Sequence, residues 1–243
     1  MKIQTLAFVT ALLMAGSLAT AVAQKADKKW TEWSKKDAQK ILDDSAWARI
    51  QTDTDTSEMM FSPTNRAGTS SANDRRADVG AVNQSVNVTF HVRFFSARPI
   101  RQALARLMLI DQTPPPDVVT KIQSFAELKS ENSIIVTVTY ESNDQRYGNS
   151  IMQAFNSAVT GTLKNNAYLE RSDGKRLFLE EYVPPGKDGF GARFIFLRNP
   201  DGKTFLDANI GEVRFYAEYP QTTIKIDRRF KIADMMFQGQ LEY

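Results

Sequence analysis

The stretch VNVTFHVRF, residues 86–94, is the strongest indicator of the fold class in this chain. Its apolar residues alternate with polar ones, which is the period of a β-strand with one buried face and one solvated face. Strands with this pattern are typical of antiparallel sheets. The alternation places His91 and Arg93 on the solvated face.

The segments that follow predict helices between strands. Residues 100–110 and 117–125 carry apolar side chains at helical spacing, and residues 150–163 repeat that pattern. Residues 133–141, SIIVTVTYE, predict a second strand. We therefore expect these helices to be inserted into, or packed on, a β-rich body.

From residue 168 onward the sequence predicts short strands joined by turns. Asp173–Gly174 predicts a hairpin turn, and NPDG at residues 199–202 predicts a second one. Three further alternating segments follow, at residues 212–219, 222–232 and 235–243. This spacing predicts a β-sandwich-like segment over residues 168–243. The expected fold class is α+β, with an antiparallel body over residues 82–243.

The N-terminus predicts a secretory signal peptide. Lys2 precedes an apolar run that is shorter than the ~20 residues needed to span a bilayer. Ala21 and Ala23 supply the small residues that signal peptidase requires before its cut. Residues 1–23 are therefore expected to be removed from an exported protein that is periplasmic or secreted.

A short helix and a strand are expected next. Ser34 and Asp37 have the spacing of a capping box, which predicts a helix over residues 35–43. Residues 47–60 are consistent with an extended strand. Residues 62–81 are polar, rich in Gly, Ser and Asn and without periodicity, which predicts a flexible loop.

All three tryptophans lie in the N-terminal segment, residues 24–61. Trp33 precedes the capping box and Ala38 stands at the fourth helical position, as in a hydrophobic staple. On this interpretation Trp33 and Trp47 are largely buried and Trp30 is more exposed. The alternative is a carbohydrate-binding platform made by Trp30 and Trp33, because flat aromatic rings stack on sugar faces.

The composition excludes several chemistries. The chain has no cysteine, so it has no disulfide, thiol nucleophile, cysteine-ligated zinc or lipid-modified cysteine. Its single histidine, His91, excludes any site that needs two. His91 could act as a lone general base, but its position on a polar strand face favours an ordinary surface histidine.

No metal site or cofactor is expected. Asp53, Asp55 and Ser57 have the spacing of the first calcium-loop ligands, but Glu58 and Thr64 stand where such a loop needs Gly and a bidentate Glu. A second acidic pattern, around Asn199 and Asp201, is explained by turn chemistry.

Carboxylate-dependent hydrolysis is the enzyme class that the residue types leave open. The candidate acids stand at strand ends and faces, and they are Glu141, Asp144, Glu180 and Glu181. The mechanism needs two carboxyl groups about 5–10 Å apart across a cleft. Sequence spacing does not determine that distance.

The charge balance gives no indication of nucleic-acid binding. The chain has 31 basic and 28 acidic residues, a formal net charge of +3. The helix predicted after Pro99 carries Arg101 and Arg106, with Arg98 just before it. It could lie on a membrane surface, but packing of its apolar face on a sheet is the favoured interpretation.

Both ends of the mature chain resemble a group of uncharacterised exported bacterial proteins. The resemblance is carried by WTEWSKKDAQKILDDSAWA at residues 30–48 and by FKIADMMFQGQLEY at residues 230–243. It covers about a fifth of the mature chain. It implies bacterial export and supplies no activity or catalytic residue.

The leading functional hypothesis is a non-enzymatic exported protein that binds another macromolecule, either a protein or a polysaccharide. One alternative is a carboxylate-dependent hydrolase of an envelope or extracellular polymer. The other is carbohydrate binding through Trp30 and Trp33.

Overall fold

The computed structural model describes residues 28–55 and 86–243. The predicted signal peptide (1–23), Ser57 and the predicted loop (62–81) lie outside them. The helices are α1 (Lys35–Asp43), α2 (Arg98–Gln112), α3 (Pro116–Glu127), α4 (Gln145–Ser157) and α5 (Thr160–Leu163). The strands are β1 (Ala48–Asp55), β2 (Val86–Phe94), β3 (Ser133–Ser142), β4 (Ala167–Arg171), β5 (Arg176–Phe178), β6 (Glu181–Val183), β7 (Ala192–Leu197), β8 (Glu212–Glu218), β9 (Lys225–Lys231), β10 (Met236–Phe237) and β11 (Gln240–Leu241).

The predicted α+β class with antiparallel sheets is confirmed. Sheet A has the strand order β1-β2-β3-β7-β6, sheet B has the order β5-β4-β8-β9, and β10 and β11 form a separate pair. Every strand pair among the described residues is antiparallel. The predicted sandwich-like segment, residues 168–243, leaves out strands that belong to the sandwich. Strands β1–β3 supply most of sheet A, and β6 and β7 join them rather than sheet B.

The two sheets share an aromatic interior. The rings of Phe94 and Phe230 lie 4.8 Å apart at nearly perpendicular planes, and those of Phe194 and Phe215 lie 5.1 Å apart. All four side chains are fully buried. Burying one such side chain stabilises the fold by about 1.5–3 kcal/mol, and edge-to-face contact adds to this. The alternating apolar side chains of β2 therefore face this interior and help to fill it.

Both long sides of the sandwich are closed. On one side the chain passes from sheet B to sheet A, since Leu179 N donates to Ala167 O and Glu180 N donates to Ile195 O. On the other side, the side chain of Gln51 bridges β1 and β9. Gln51 Nε2 donates to Lys225 O at 2.7 Å, and Gln51 Oε1 accepts from Asp227 N at 2.9 Å. The amide of Gln51 thus makes the hydrogen bonds that a neighbouring strand would make.

Helix α4 covers one end of the sandwich. Phe155 stacks on Tyr219 with a centroid distance of 4.8 Å, and its carbonyl accepts a hydrogen bond from Tyr182 Oη at 2.8 Å. Tyr182 Oη lies 3.2 Å from Tyr219 Oη. Both hydroxyl groups are buried and satisfied, as buried polar groups usually are.

The β10–β11 hairpin covers the opposite end. Trp47 Nε1 donates to Glu242 O at 2.7 Å, and the Trp47 ring meets Phe237 edge to face. Arg98 Nη2 donates to Glu242 Oε1 at 2.7 Å. These contacts attach the hairpin to β1 and to the beginning of α2.

The predicted helix over residues 35–43 is confirmed, together with its capping box. Ser34 Oγ accepts from Asp37 N at 3.1 Å, and Asp37 Oδ2 accepts from Ser34 N at 3.0 Å. Trp47 is 9% exposed, as expected, whereas Trp33 and Trp30 are both only partly buried. Trp33 is therefore not largely buried as expected, and Trp30 and Trp33 fall in the same range of partial burial.

Two of the predicted strand arrangements are wrong. The predicted hairpin around residues 199–202 is a single strand, β7, followed by a turn, because β7 pairs with β3 and β6 instead of with the residues after the turn. Residues 235–243 are not one strand. They turn back at Gln238 and Gly239, both of which have positive φ, and this is the backbone of a two-residue hairpin turn.

Arginines of α2 are directed into the protein. Arg101 is 4% exposed and donates to three backbone carbonyls, those of Phe95, Ser96 and Leu128. Arg106 Nε donates to Trp33 O at 2.6 Å. Among the described residues, no helix has the length and apolar character needed to cross a membrane.

We expect Gln51→Leu to lower the free energy of unfolding by about 1–3 kcal/mol, because it leaves two backbone groups of β9 without partners. Urea denaturation measures this. Gln153→Leu is the control, since Gln153 is exposed on α4 and such surface changes usually stay within about 0.5 kcal/mol. Equal effects of the two substitutions would contradict a bridging role for Gln51.

We expect Trp47→Phe to loosen the hairpin more than the sheets. Phenylalanine keeps most of the apolar contact but cannot donate to Glu242 O, a loss of about 1 kcal/mol. Hydrogen exchange should rise at the amides of residues 236–242, while β2 and β3 stay protected. Unchanged exchange in the hairpin would show that this hydrogen bond does not hold it.

Candidate functional site

The single histidine of the chain occupies a buried position. His91 is 8% exposed, so the predicted surface histidine is wrong. The alternation placed it correctly on the outer face of β2, facing away from the aromatic interior. That face is not solvated here, because the C-terminal end of α1 lies over it and brings Asp43 to the ring.

Four charged or titratable side chains meet at this position. His91 Nδ1 lies 3.3 Å from Asp43 Oδ1, and His91 Nε2 lies 3.7 Å from Glu141 Oε1. Arg93 Nη2 lies 3.5 Å from the same Asp43 oxygen, and Arg93 Nε donates to Leu42 O at 2.7 Å. Arg93 therefore neutralises Asp43 and satisfies a carbonyl at the C-terminal end of α1, where a cation is favoured.

Neither ring nitrogen of His91 makes a hydrogen bond within the described part of the chain. Burial lowers the pKa of His91 below its ordinary value, and the nearby charge of Arg93 lowers it further, while Asp43 and Glu141 act in the opposite direction. Burial therefore favours the neutral form of the imidazole in the folded protein.

This cluster joins α1 to sheet A. A catalytic base must reach its substrate, and His91 is covered on the side where a substrate would approach. The two ring nitrogens face different carboxylates, which does not suit a shared metal ion. In the described ranges, no group of three or more potential metal-ligating side chains converges.

We expect His91 to make the fold less stable in acid. Its pKa is lowered in the folded state, so the unfolded chain binds a proton more readily as the pH falls below about 6.5. The stability contributed by neutral His91 is complete above that pH and is lost as the pH falls toward the lowered folded-state pKa. Urea denaturation between pH 5 and 8 measures this against His91→Gln, which cannot titrate. A constant stability difference between the two proteins would contradict a lowered pKa.

The outer face of sheet B forms the second candidate site. Inward-facing residues such as Leu169, Phe215 and Ile226 are fully buried, so the residues between them point outward. Strand register arranges these outward side chains in two rows that run across all four strands. The aromatic row is Phe178, Tyr168, Tyr216 and Asp227, and the charged row is Arg176, Glu170, Arg214 and Arg229.

The aromatic row is continuous. Tyr168 stacks on Tyr216 at 4.9 Å and meets Phe178 at 5.9 Å. Phe178 is 46% exposed, although it is a large apolar side chain. Tyr216 Oη donates to Glu218 Oε2, and this hydrogen bond is the main reason that the pKa of Tyr216 rises to about 12.

Two arginines of the charged row, Arg176 and Arg214, are held in position by carboxylates. Arg176 Nε donates to Glu170 Oε2 at 2.5 Å and its guanidinium lies 4.4 Å from the centre of the Tyr168 ring. Arg214 binds both oxygens of Asp227, at 2.7 and 2.6 Å. The hydrogen bonds from these arginines are the largest causes that lower the pKa of Glu170 and of Asp227. Bidentate pairing of this kind restricts the guanidinium group.

The two tryptophans proposed as binding residues are engaged within the protein. Trp30 packs beside Ile122 and Ala126, and its Nε1 donates to Glu127 Oε1 at 3.0 Å. Trp33 packs against the main core, and its Nε1 donates to Lys28 O at 3.2 Å. Each retains a partly exposed surface, but the structure does not arrange them as a row on an open face.

The four candidate acids form two separate groups, Glu141 with Asp144 and Glu180 with Glu181. Glu141 lies beside His91, whereas Asp144 caps α4 and accepts from Arg146 N at 2.8 Å. Glu181 pairs with Ile195, which pairs with Ile135. Because β3 rises about 3.3 Å per residue, Glu141 lies roughly 20 Å from this row. Glu180 precedes β6 and is therefore equally remote from Glu141. An acid at the Glu141 end of β3 and an acid of the Glu180–Glu181 segment are therefore too far apart to act as a carboxylate pair.

The acidic patterns considered as metal sites have other partners. Asp53 accepts from Gln51 Nε2 at 3.1 and 3.2 Å, and the side chain of Asp55 lies outside the described residues. Asn199 Oδ1 accepts from Thr204 Oγ1 at 3.1 Å, and Asp201 has the positive φ of a turn residue. The turn interpretation of Asn199 and Asp201 fits this geometry.

The described residues also form two shallow grooves. One, of about 180 Å³, lies between α2 and the loop at residues 188–190, where Asp111 is paired with Lys35 and Asp188 with Arg193. The other, of about 210 Å³, lies beside residues 219–222. Neither groove brings an unpaired charged group to its wall in the described ranges.

Comparison of the chain with protein-family models, with curated proteins and with solved structures found no match. The two sites must therefore be interpreted from their own chemistry. The sequence identified His91 and Glu141 but not their meeting with Asp43, and it did not identify the outer face of sheet B. Each site depends on contacts between distant segments. The signal available for the sheet face was the alternation of aromatic and charged residues within YLER, RLF and EVRFYAE.

Proposed function

We propose that this chain is an exported, non-enzymatic binding protein, and that it binds an extended polymer across the outer face of sheet B. The observation that carries the proposal is a row of stacked aromatic side chains that ends at the exposed Phe178. Beside it, on the same outer face, Arg176 and Arg214 are held by carboxylates. A flat face of this kind offers contact along several strands and has no enclosed volume for a small molecule.

The energetics of this face also support binding. Phe178 exposes nearly half of its surface on an edge strand, and aromatic side chains are enriched at binding interfaces relative to the rest of the surface. Arg176 and Arg214 are held by carboxylates before any ligand arrives, so little side-chain entropy is lost on binding.

Export is part of the proposal and rests on the N-terminal sequence. The apolar run after Lys2 and the small residues Ala21 and Ala23 support removal of residues 1–23 by signal peptidase. The resemblance of residues 30–48 and 230–243 to exported bacterial proteins supports the same location, either periplasmic or outside the cell.

We expect Phe178→Ala to weaken binding of the purified mature protein to envelope material from its own cells by about tenfold. The expectation follows from the loss of one exposed aromatic contact, worth about 1.4 kcal/mol. A saturation assay with labelled protein measures the affinity. Met152→Ala is the matched control, since Met152 is 48% exposed on α4, away from sheet B.

The two variants separate specific binding from general adhesion. Weakening by Phe178→Ala alone supports the proposal, provided that both variants keep the wild-type unfolding transition. Equal weakening by both variants, or the absence of saturable binding by the wild-type protein, would overturn it.

A further inference from the structure

The exposed charge on the outer face of sheet B is mainly positive. The cations at the solvent surface are Arg176, Lys225, Arg229 and Lys231. The acids of this face are less exposed than these cations, or they already take part in ion pairs or hydrogen bonds. Glu170 and Asp227 are held in ion pairs with arginines, Glu212 lies 3.8 Å from Arg229, and the exposed Glu218 accepts the hydroxyl of Tyr216. A ligand that lies on this face therefore meets basic groups first.

Two of these cations, Arg176 and Lys225, lie over rings of the aromatic row. Phe178, Tyr168 and Tyr216 stand on three adjacent strands, so the row spans two strand spacings, roughly 10 Å. Lys225 Nζ lies 5.3 Å from the centre of the Tyr216 ring. Apolar ring surface and cationic groups thus alternate over the length of a short oligosaccharide.

This combination matches a polymer of carboxylated sugars. The faces of pyranose rings are apolar and pack on aromatic side chains, while each carboxylate can accept paired hydrogen bonds from a guanidinium group. Arg229 is free to turn toward a ligand, because its side chain is 67% exposed and its nearest acid is at 3.8 Å. Arg176 is restricted by Glu170 but keeps half of its surface in solvent.

Other polymers fit less well. Single-stranded nucleic acid needs several aromatic faces that are free for stacking by successive bases. On this described face Tyr168 is 7% exposed and covered by Arg176, and Tyr216 is flanked by Arg214 and Lys225. A stable protein interface has an apolar core, and Phe178 is the one large apolar side chain that this described face exposes.

We propose that the outer face of sheet B binds acidic polysaccharides, with Phe178 packing on a sugar ring and Arg176 and Arg229 binding the carboxylates of the polymer. This inference rests on the proposed function and names the ligand class for the same face.

The test measures binding of the mature protein to three uronic-acid polymers of different linkage: polygalacturonate, alginate and hyaluronate. The variant is Arg176→Gln/Arg229→Gln. Its charge-matched control is Arg146→Gln/Lys164→Gln, which removes one exposed cation on α4 and one just after α5. Calorimetry gives the affinities, and circular dichroism verifies that each variant is folded. Methyl-esterified polygalacturonate and oligo(dT) serve as competing ligands.

We expect at least one acidic polymer to bind, with an affinity that falls tenfold or more in Arg176→Gln/Arg229→Gln and less than twofold in the control. Esterification of the carboxylates and raised ionic strength should both weaken binding. Equal loss in the two double variants, equal binding of the esterified polymer, or tighter binding of oligo(dT) would overturn the inference. Failure of all three polymers, with envelope binding still dependent on Phe178, would overturn the ligand class and leave the proposed function standing.

Discussion

The fold depends on one constraint, which is that two antiparallel sheets must seal a single aromatic interior without any disulfide. Phe94, Phe194, Phe215 and Phe230 fill the space between the sheets, and a few other parts of the chain close the openings to it. Helix α4 covers one end and the β10–β11 hairpin covers the other. Gln51 closes one side and the Leu179–Glu180 crossing closes the other. Close packing of this kind makes each closure sensitive to the loss of a few contacts.

The local parts of this arrangement could be predicted from the sequence. The period of two in residues 86–94 and the spacing of Ser34 and Asp37 are determined by neighbouring residues, and both predictions are confirmed. The pairing partners could not be predicted, because they depend on which distant strand offers a complementary face. NPDG predicted a turn correctly, yet β7 pairs with β3, which lies about 60 residues earlier in the chain.

The candidate sites show the same limit. Alternation in β2 identified the side of the sheet to which His91 belongs, but it gives no information about what covers that side. The cover is α1, which arrives from a part of the chain about 50 residues earlier. The aromatic row of sheet B likewise depends on three strand registers, and no single segment contains more than two of its members. The tryptophans are the largest aromatic side chains, but the indole N–H groups of Trp30 and Trp33 donate to other groups of the same chain.

The bridge made by Gln51 has a consequence for the behaviour of the protein in crowded solution. An exposed strand edge offers unpaired amide and carbonyl groups to other chains, and it is a common starting point for aggregation. Gln51 occupies two of these groups on β9 with a side chain, which cannot propagate pairing to another molecule as a strand would. A single glutamine therefore protects an edge that would otherwise invite self-association, in a chain that has no cysteine with which to lock its native pairing.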